Sequence, residues 1–450
     1  MKNNIKNHYI LIASLLFGLF FGAGNLIFPV SLGQLAGSKI YQTNFGFLVT
    51  ATGLPLLGII AMALSNSDSV YTLANKVGTK FARGFTIILY LVIGPFFAVP
   101  RLATASFEVG IVPFIPNQDP TIYLVIYSIL FFAITWLYAR KPNQLLYIIG
   151  KILTPILIIL LTILFIFTFV NPMGIMDKLP VQTAYQSQPF MLGFIDGYHT
   201  LDALAALAFG IIIINALHEF GITNKKEMTK DIIISGIIGI GMMAVIYSLL
   251  ARMGALSLGQ ALKPHENGGG ALVYIADYYM GILGQILLGV ILSVACLKTS
   301  IGLLSAFSET FSDLFPSLSY QKILIVATIL PTIFANFGLN AIISLSLPVL
   351  MIIYPIAIVL IFLAIIDSFL NLDKKVYQYA IIFASLASIF DAIKVIEYPL
   401  VADHPFIQSL LDFASTSLPL FDMSLAWCIP ALVGAILGWL VSRQKASPNL

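Results

Sequence analysis

Four ionisable side chains, Arg101, Glu108, Asp202 and Lys298, fall inside long apolar stretches of a 450-residue chain. Inside a bilayer such groups cost about 3 kcal/mol each on insertion scales, and they mark ion paths, proton relays and substrate sites. Lys298, in Ala295-Cys296-Leu297-Lys298-Thr299-Ser300, lies too deep to snorkel. It needs a partner, or it must give up its proton, because low-dielectric surroundings disfavour the charged form. Arg101 and Glu108 are seven apart, which puts them on one helix face about 10 Å apart along the axis. That spacing suits ion pairs with neighbouring helices or charges on a vestibule. Asp202 sits in a Gly- and Ala-rich stretch with Tyr198 one turn before it. Asp196 and His199 read as surface residues near the edge, and Lys394 and Glu397 as interface residues.

Enzymatic motifs are missing. The chain has no phosphate-binding Gly-rich loop ending in Lys-Ser/Thr, so it encodes no ATP-driven pump. His218-Glu219 and His265-Glu266 lack the second histidine of a zinc-protease helix, and there is no Gly-x-Ser-x-Gly nucleophile elbow. Cys296 and Cys428 stand far apart without metal-ligand spacing and read as small buried residues. The expectation is a protein that is not an enzyme, with no metal and no cofactor beyond a coupling ion.

The elements that must position these residues are membrane spans. Hydrophobic residues make up 59% of the chain and charged ones 10%, against about 25% charged in soluble domains. The net charge of +3 gives no reason to expect a nucleic-acid partner. Twelve apolar runs can be drawn, at 9–33, 43–64, 84–111, 121–139, 144–170, 191–217, 232–256, 278–308, 321–336, 339–366, 376–397 and 418–441. The ninth and tenth are divided at Asn336–Asn340. No run alternates with period two, so a membrane barrel is not expected. The first run follows Lys2 and Lys6 as a signal peptide would, but it is too long and continues into Pro29, so it reads as a retained span.

Placing the N-terminus in the cytoplasm and alternating assigns fifteen of the 23 Lys and Arg to inner segments. These are Lys2, Lys6, Lys76, Lys80, Arg83, Arg140, Lys141, Lys225, Lys226, Lys230, Lys322, Lys374, Lys375, Arg443 and Lys445. Only Lys39, Lys178, Arg252 and Lys263 fall outside, while Arg101, Lys151, Lys298 and Lys394 lie within spans. This asymmetry predicts that both termini are cytoplasmic.

Two spans carry interruptions and begin five spans apart. The first reads Phe20-Phe21-Gly22-Ala23-Gly24-Asn25-Leu26-Ile27-Phe28-Pro29, and the sixth runs from Gly197 to Gly210. Gly costs roughly 1 kcal/mol in a helix and Pro removes a donor, so unwinding is expected near Gly22–Asn25. The Ala- and Gly-rich centre of the sixth allows close approach of backbone or ligand. Unwound backbone survives at membrane depth where it lines a cavity, and paired interruptions in corresponding halves point to a secondary-transporter site.

The string Phe21–Pro29, with Gly94–Arg101, Gly197-Tyr198, Thr200–Ala203, Ala295–Leu297 with Thr299, and Gly338–Ala341, resembles the branched-chain amino acid:cation symporters, the BrnQ family. The likeness runs over most of the chain. It implies the leucine-transporter fold, an all-α polytopic membrane protein of about twelve spans with a five-plus-five inverted repeat. Its first repeat would cover 9–170 and its second 191–366, with two additional helices in 376–441. It also implies a bacterial inner-membrane location and secondary active uptake of leucine, isoleucine and valine. By the same resemblance the substrate carboxylate meets amides near Gly22, Ala23, Gly24 and Asn25, and the ammonium meets carbonyls of the two interruptions. Thr200, Ala205, Ala206 and Phe209 would complete the site, with Phe209 closing over the aliphatic side chain.

One departure concerns the ion. In that fold sodium bridges the first span near Gly22 and hydroxyls of the eighth, around Ala295, Thr299 and Ser300; the family pattern has threonines there, and here Lys298 takes the first place. An ammonium repels sodium and can occupy its volume, whereas hydroxyls can ligate it. The expectation is that Lys298 replaces sodium. Permanently charged, it would make the carrier cation-independent; as a titrating group it would make it a proton symporter. Proton coupling is preferred over sodium coupling, with Asp202 or Glu108 as the alternative proton carriers. The rival classes are a sodium-coupled carrier of other hydrophobic amino acids, a channel, a membrane sensor and a membrane enzyme.

Overall fold

The structure, a computed structural model, describes residues 5–65, 67–115, 119–141, 146–261, 263–396 and 404–445. Among the described residues the chain is helical, without strands. The first half comprises α1 (Ile5–Phe20), α2 (Ala23–Ala36), α3 (Ile40–Leu48), α4 (Leu54–Leu64), α5 (Val70–Ala74), α6 (Thr79–Leu91), α7 (Ala98–Gly110), α8 (Thr121–Ala139) and α9 (Thr154–Val170). Then come α10 (Thr183–Ser187), α11 (Pro189–Asp196), α12 (Asp202–Ala208), α13 (Gly210–Glu219), α14 (Lys225–Ser257) and α15 (Gly268–Met280). The chain ends with α16 (Ile282–Leu314), α17 (Tyr320–Ala335), α18 (Leu339–Leu370), α19 (Lys374–Lys394), α20 (Pro405–Ser417) and α21 (Cys428–Lys445).

Among the described residues, eight helical stretches are long and apolar enough to cross a membrane, or up to nine if the bent pair α12–α13 counts as one span. Three shorter apolar helices, His8–Phe20, Tyr320–Ala335 and Cys428–Gln444, accompany them. Around the bundle, large apolar side chains face outward, including Ile126 and Ile129 on α8, Ile159 and Ile166 on α9, Ile329 and Ile333 on α17, and Leu432 and Ile436 on α21. Water would not tolerate so continuous an apolar exterior, and hydrocarbon does. The protein is therefore a multi-pass membrane protein.

Several span limits differ from the sequence expectation. The eighth apolar run begins at 278, but residues 268–280 form the separate helix α15 and the long helix starts at Ile282. Gly281, at φ 55°, makes the turn between them. The last run was drawn from 418, whereas its helix starts at Cys428 after tight turns at Leu420 and Ser424. The third run is not continuous: Val92–Phe96 forms a wide turn in which Gly94 leaves helical geometry (φ −91°, ψ −115°) ahead of Pro95. Glu397 lies outside the described residues. The joint between the ninth and tenth runs falls at 336–338, as expected.

Both interrupted spans are broken, though not over the full stretches expected. The first break occupies only Phe21 and Gly22, and Ala23, Gly24 and Asn25 already form the first turn of α2. The second break is the short turn Gly197–Thr200 followed by Leu201 at φ 65°. The alanine-rich segment after it is regular helix, and α13 then departs from α12 at an angle of 48°. Alanine is the best helix former, which is why that segment stays wound.

α2 and α14 pack in close contact beside the first break. A β-carbon at Gly33 on α2 would lie 2.0 Å from the carbonyl oxygen of Ala251 on α14, and one at Gly254 would lie 2.2 Å from that of Val30. The two backbones therefore touch directly, as small residues permit in membrane bundles. α7 packs on α16, and α12 on α4. The result is a bundle whose centre contains both breaks, α7 and α16.

Candidate functional site

The first break leaves backbone groups of both signs in the protein interior. α1 ends in carbonyls and α2 begins in amides that lack intrahelical partners. Asn25 bends back, its side-chain oxygen accepting from the Gly22 N–H at 2.8 Å, the Ala23 N–H donates to the Cys296 sulfur, and Gly24 follows in the first turn of α2. The amide nitrogen of Asn25 donates to Asp202 Oδ2 at 2.7 Å and also to the Tyr247 hydroxyl. Tyr247 in turn donates to Asp202 Oδ2 at 2.6 Å. One buried network thus ties α2, α12 and α14 together. Thr200 turns its hydroxyl to the carbonyl of Gly197 at 2.9 Å and closes the second break on itself.

Between the breaks lies a cavity of about 30 Å³. Of the residues singled out from sequence, Gly22, Ala23, Gly24, Asn25, Thr200, Asp202, Ala205 and Thr299 line it. Others lie outside its lining. Ala206 faces Gly58 on α4, and Phe209 packs edge-on against Phe20 with centroids 5.6 Å apart. Ala295, Lys298 and Ser300 are buried in α16 beside it, and Glu108 accepts from Asn267 at 2.8 Å, away from it. The apolar part of the lining comes from Leu19, Phe20, Ile93, Leu102 and Leu303.

Arg101, expected to pair with neighbouring helices or to sit on a vestibule, also lines the cavity. It is 5% exposed and its Nε has no hydrogen-bond partner. Its guanidinium carbon lies 5.1 Å from the centre of the Phe28 ring. It makes no ion pair among the described residues. A β-carbon on Gly24 would come within 3.1 Å of Arg101 Nη2, so the absent side chain at 24 gives the guanidinium its place.

Lys298 is fully buried and its amine lacks a hydrogen-bond partner among the described residues. The nitrogen sits 5.1 Å from the Phe17 ring centre and 5.7 Å from that of Phe21, so two aromatic faces contribute what attraction it finds. The Thr299 and Ser300 hydroxyls are unpartnered too. A β-carbon on Gly22 would lie 3.2 Å from Thr299 Oγ1, which shows how closely the first break abuts α16.

A second and larger cavity of about 760 Å³ opens at one end of the bundle. Asp196, His199, Glu266, Asn267 and Asn340 give it a polar rim. Asp196 and His199 are half-buried, not at the surface as the sequence suggested. Asp196 accepts from the Tyr185 hydroxyl at 2.6 Å, and His199 stacks on Phe28 with ring centroids 5.3 Å apart. Phe28 faces this vestibule on one side and Arg101 on the other, so Phe28, His199 and Arg101 partition it from the small cavity.

Sequence reasoning missed Tyr247 and Phe28. A signal for the first was present: a buried tyrosine hydroxyl requires a partner, and Asp202 required one as well. Phe28 carries no such signal, because one aromatic in an apolar span looks like any other.

Comparison with known proteins places this arrangement. The fold is shared with Mhp1, a nucleobase-cation-symport-1 family transporter, in a closed conformation with bromovinylhydantoin bound, at TM-score 0.57 and 13% identity over 98% of this chain and 93% of that one. It is shared as well with MhsT in complex with L-phenylalanine, at TM-score 0.52 and 15% identity over 96% and 98%. These two likenesses are of fold; the family and the relatives that follow make the chain a transporter and not an enzyme. The family described as branched-chain amino acid transport protein matches residues 5–445, and the chain belongs to it. Among its relatives, the branched-chain amino acid permease BrnQ of Bacillus subtilis is 43% identical over 99% of this chain and the whole of its own length. BraB of the same organism, also a branched-chain amino acid permease, is 41% identical over 96% and 95%. The branched-chain amino acid transport system 2 carrier protein of Pseudomonas aeruginosa is 36% identical over 96% and 95%.

Proposed function

We propose that the protein takes up leucine, isoleucine and valine across the bacterial cell membrane by cation symport, working by alternating access. The observation that carries this reading is the cavity between two helix breaks, polar where backbone ends are free and apolar at Leu19, Phe20, Ile93 and Leu303. An apolar pocket distinguishes aliphatic side chains by only about 1–3 kcal/mol per methylene, so the three substrates compete with one another. The family and the permease relatives support the substrate class.

In this reading the chain spans the membrane twelve times, with both termini in the cytoplasm. Residues 9–170 and 191–366 are the two inverted five-helix repeats, and 376–441 holds two further spans. The vestibule then faces outward. Substrate sits against Gly22–Asn25 on one side and Thr200 with Ala205 on the other. Ala206 supports α12 from behind, and Phe209 backs Phe20.

The coupling ion we favour is the proton, carried by Lys298. Its amine is buried without an anionic partner among the described residues, and an ammonium there excludes sodium from the space beside Gly22 and Ala295. A second reading, sodium coupling, is favoured by the unpartnered hydroxyls of Thr299 and Ser300. Asp202 and Glu108 are the alternative proton carriers: Asp202 lines the cavity, whereas Glu108 is held by Asn267.

The test is labelled-leucine uptake into proteoliposomes with independently imposed proton and sodium gradients, for wild type and Lys298→Thr. Accumulation by wild type on a proton gradient alone, with sodium dependence acquired by the variant, is the expected result. Sodium-driven uptake by wild type would overturn the role given to Lys298. No uptake under any gradient by folded protein would overturn the substrate assignment.

A further inference from the structure

Two buried, oppositely charged groups, Arg101 and Asp202, line one small cavity and do not pair with each other. In a low-dielectric interior that is costly for both, and neighbouring opposite charges are ordinarily driven together. Each is held apart from the other by its own contacts. Asp202 is tied down through Oδ2, which takes both Asn25 and Tyr247. Arg101 is held over the Phe28 ring, with Nε unpartnered.

The position of the guanidinium adds a second anomaly. Its Nη2 reaches to the first turn of α2, where Gly24 leaves it room. That turn presents the Gly24 amide, which lacks an intrahelical partner, and the positive end of the helix dipole, so a cation beside it is repelled unless an anion lies between them. Two positive features converging on one cavity wall make an anion site. The carboxylate on the opposite wall makes a cation site. A ligand that satisfies both carries a negative and a positive group a short distance apart.

Resting on the transport reading above, we infer that Arg101 and Asp202 bind the two charged ends of a zwitterionic α-amino acid. The carboxylate lies between Arg101 and the Gly24 amide, and the ammonium lies against Asp202. The side chain then projects toward Phe20 and Leu303. Arg101 thereby becomes a substrate-binding residue, and the selection of amino acids over other apolar molecules of similar size is assigned to this pair. The cavity of about 30 Å³ holds roughly one water, so it must widen to take leucine, and Phe28, which stacks against Arg101, stands between it and the vestibule.

The experiment is equilibrium binding to purified wild type, Arg101→Gln and Asp202→Asn, with leucine, leucinamide (no carboxylate) and 4-methylpentanoate (no ammonium) as ligands. Wild type is expected to prefer leucine over either analogue by about a hundredfold or more, since a site built for a polar group rejects ligands that leave its own groups unpaired. Arg101→Gln should cut the leucine-over-leucinamide preference at least about tenfold while leaving less of an effect on leucine over 4-methylpentanoate, and Asp202→Asn the reverse. If Arg101→Gln does not fold, Arg101→Lys serves in its place, with a smaller fall of the same ratio. Leucine binding with both ratios unchanged in the variants would overturn the assignment alone. Failure of folded wild type to bind leucine would overturn the transport reading, and this inference with it.

Discussion

The hydroxyl of Tyr247, on α14, donates to Asp202 Oδ2 at 2.6 Å, and Asp202 is the first residue after the second helix break. A side chain from a continuous helix therefore fixes the start of a discontinuous one. Asn25, from the first break, bonds the same oxygen, so both interruptions are referenced to a single atom.

Tyr247→Phe removes one of the two donors on that buried carboxylate. Leaving a buried acceptor short of a partner costs about 1–3 kcal/mol. Thermal unfolding in detergent should show the loss, and leucine uptake should fall with it. An unchanged melting temperature would mean that the bond contributes little.

Gly24→Ala and Gly33→Ala should fail differently. At 24 the new methyl meets Arg101 Nη2 and the Phe28 ring at 3.1 Å, both ends of side chains that can shift. At 33 it meets the Ala251 carbonyl at 2.0 Å, which is backbone. The first variant should fold and transport with a raised KM for leucine. The second should yield little folded protein, as judged by size-exclusion chromatography.

Lys298→Met exchanges an unpartnered buried amine for an apolar side chain of similar length. Replacing buried charge by packed apolar volume is neutral or stabilising by about 1–4 kcal/mol. The variant should melt no lower than wild type, catalyse leucine exchange across the membrane, and lose accumulation driven by a proton gradient. Destabilisation by several kcal/mol would reveal a partner for the amine and sink its role as carrier.

Phe28→Ala removes the ring between His199 and Arg101. In a background with Cys296 and Cys428 replaced by serine, Thr200→Cys should react slowly with a membrane-impermeant maleimide. Adding Phe28→Ala should speed that reaction at least about tenfold, the effect of roughly 1.4 kcal/mol on an opening step. Equal rates would show that Phe28 does not close the passage.

Much of this was legible in the sequence. Composition gave the membrane setting, and the Gly–Gly–Asn–Pro cluster at 22–29 gave the first break because those residues are poor in helices for independent reasons. Asp202 stands out as a carboxylate in apolar surroundings and Gly22 as a glycine at the first interruption, whereas Thr299 entered only through the family resemblance. The break limits were less legible. Asn25 looked like part of the unwound segment, yet its side chain caps the helix that starts two residues earlier. The alanines after Asp202 were read as an interruption although alanine favours helix. Arg101 was visible, but its lack of an ion partner is a property of three dimensions, as is the seat that Gly24 leaves for it.

The direct backbone contact of α2 with α14, at Gly33 with Ala251 and Gly254 with Val30, has a mechanical consequence. No side chain lies between the two helices there to yield or change rotamer. They form a stiff strut, and the slack in the first span is confined to the two residues Phe21 and Gly22. Any tilt of the strut pulls Tyr247 and Asn25 in the same direction, and with them the carboxylate of Asp202. Force applied at the vestibule mouth is thus delivered to the start of α12 without passing through α1.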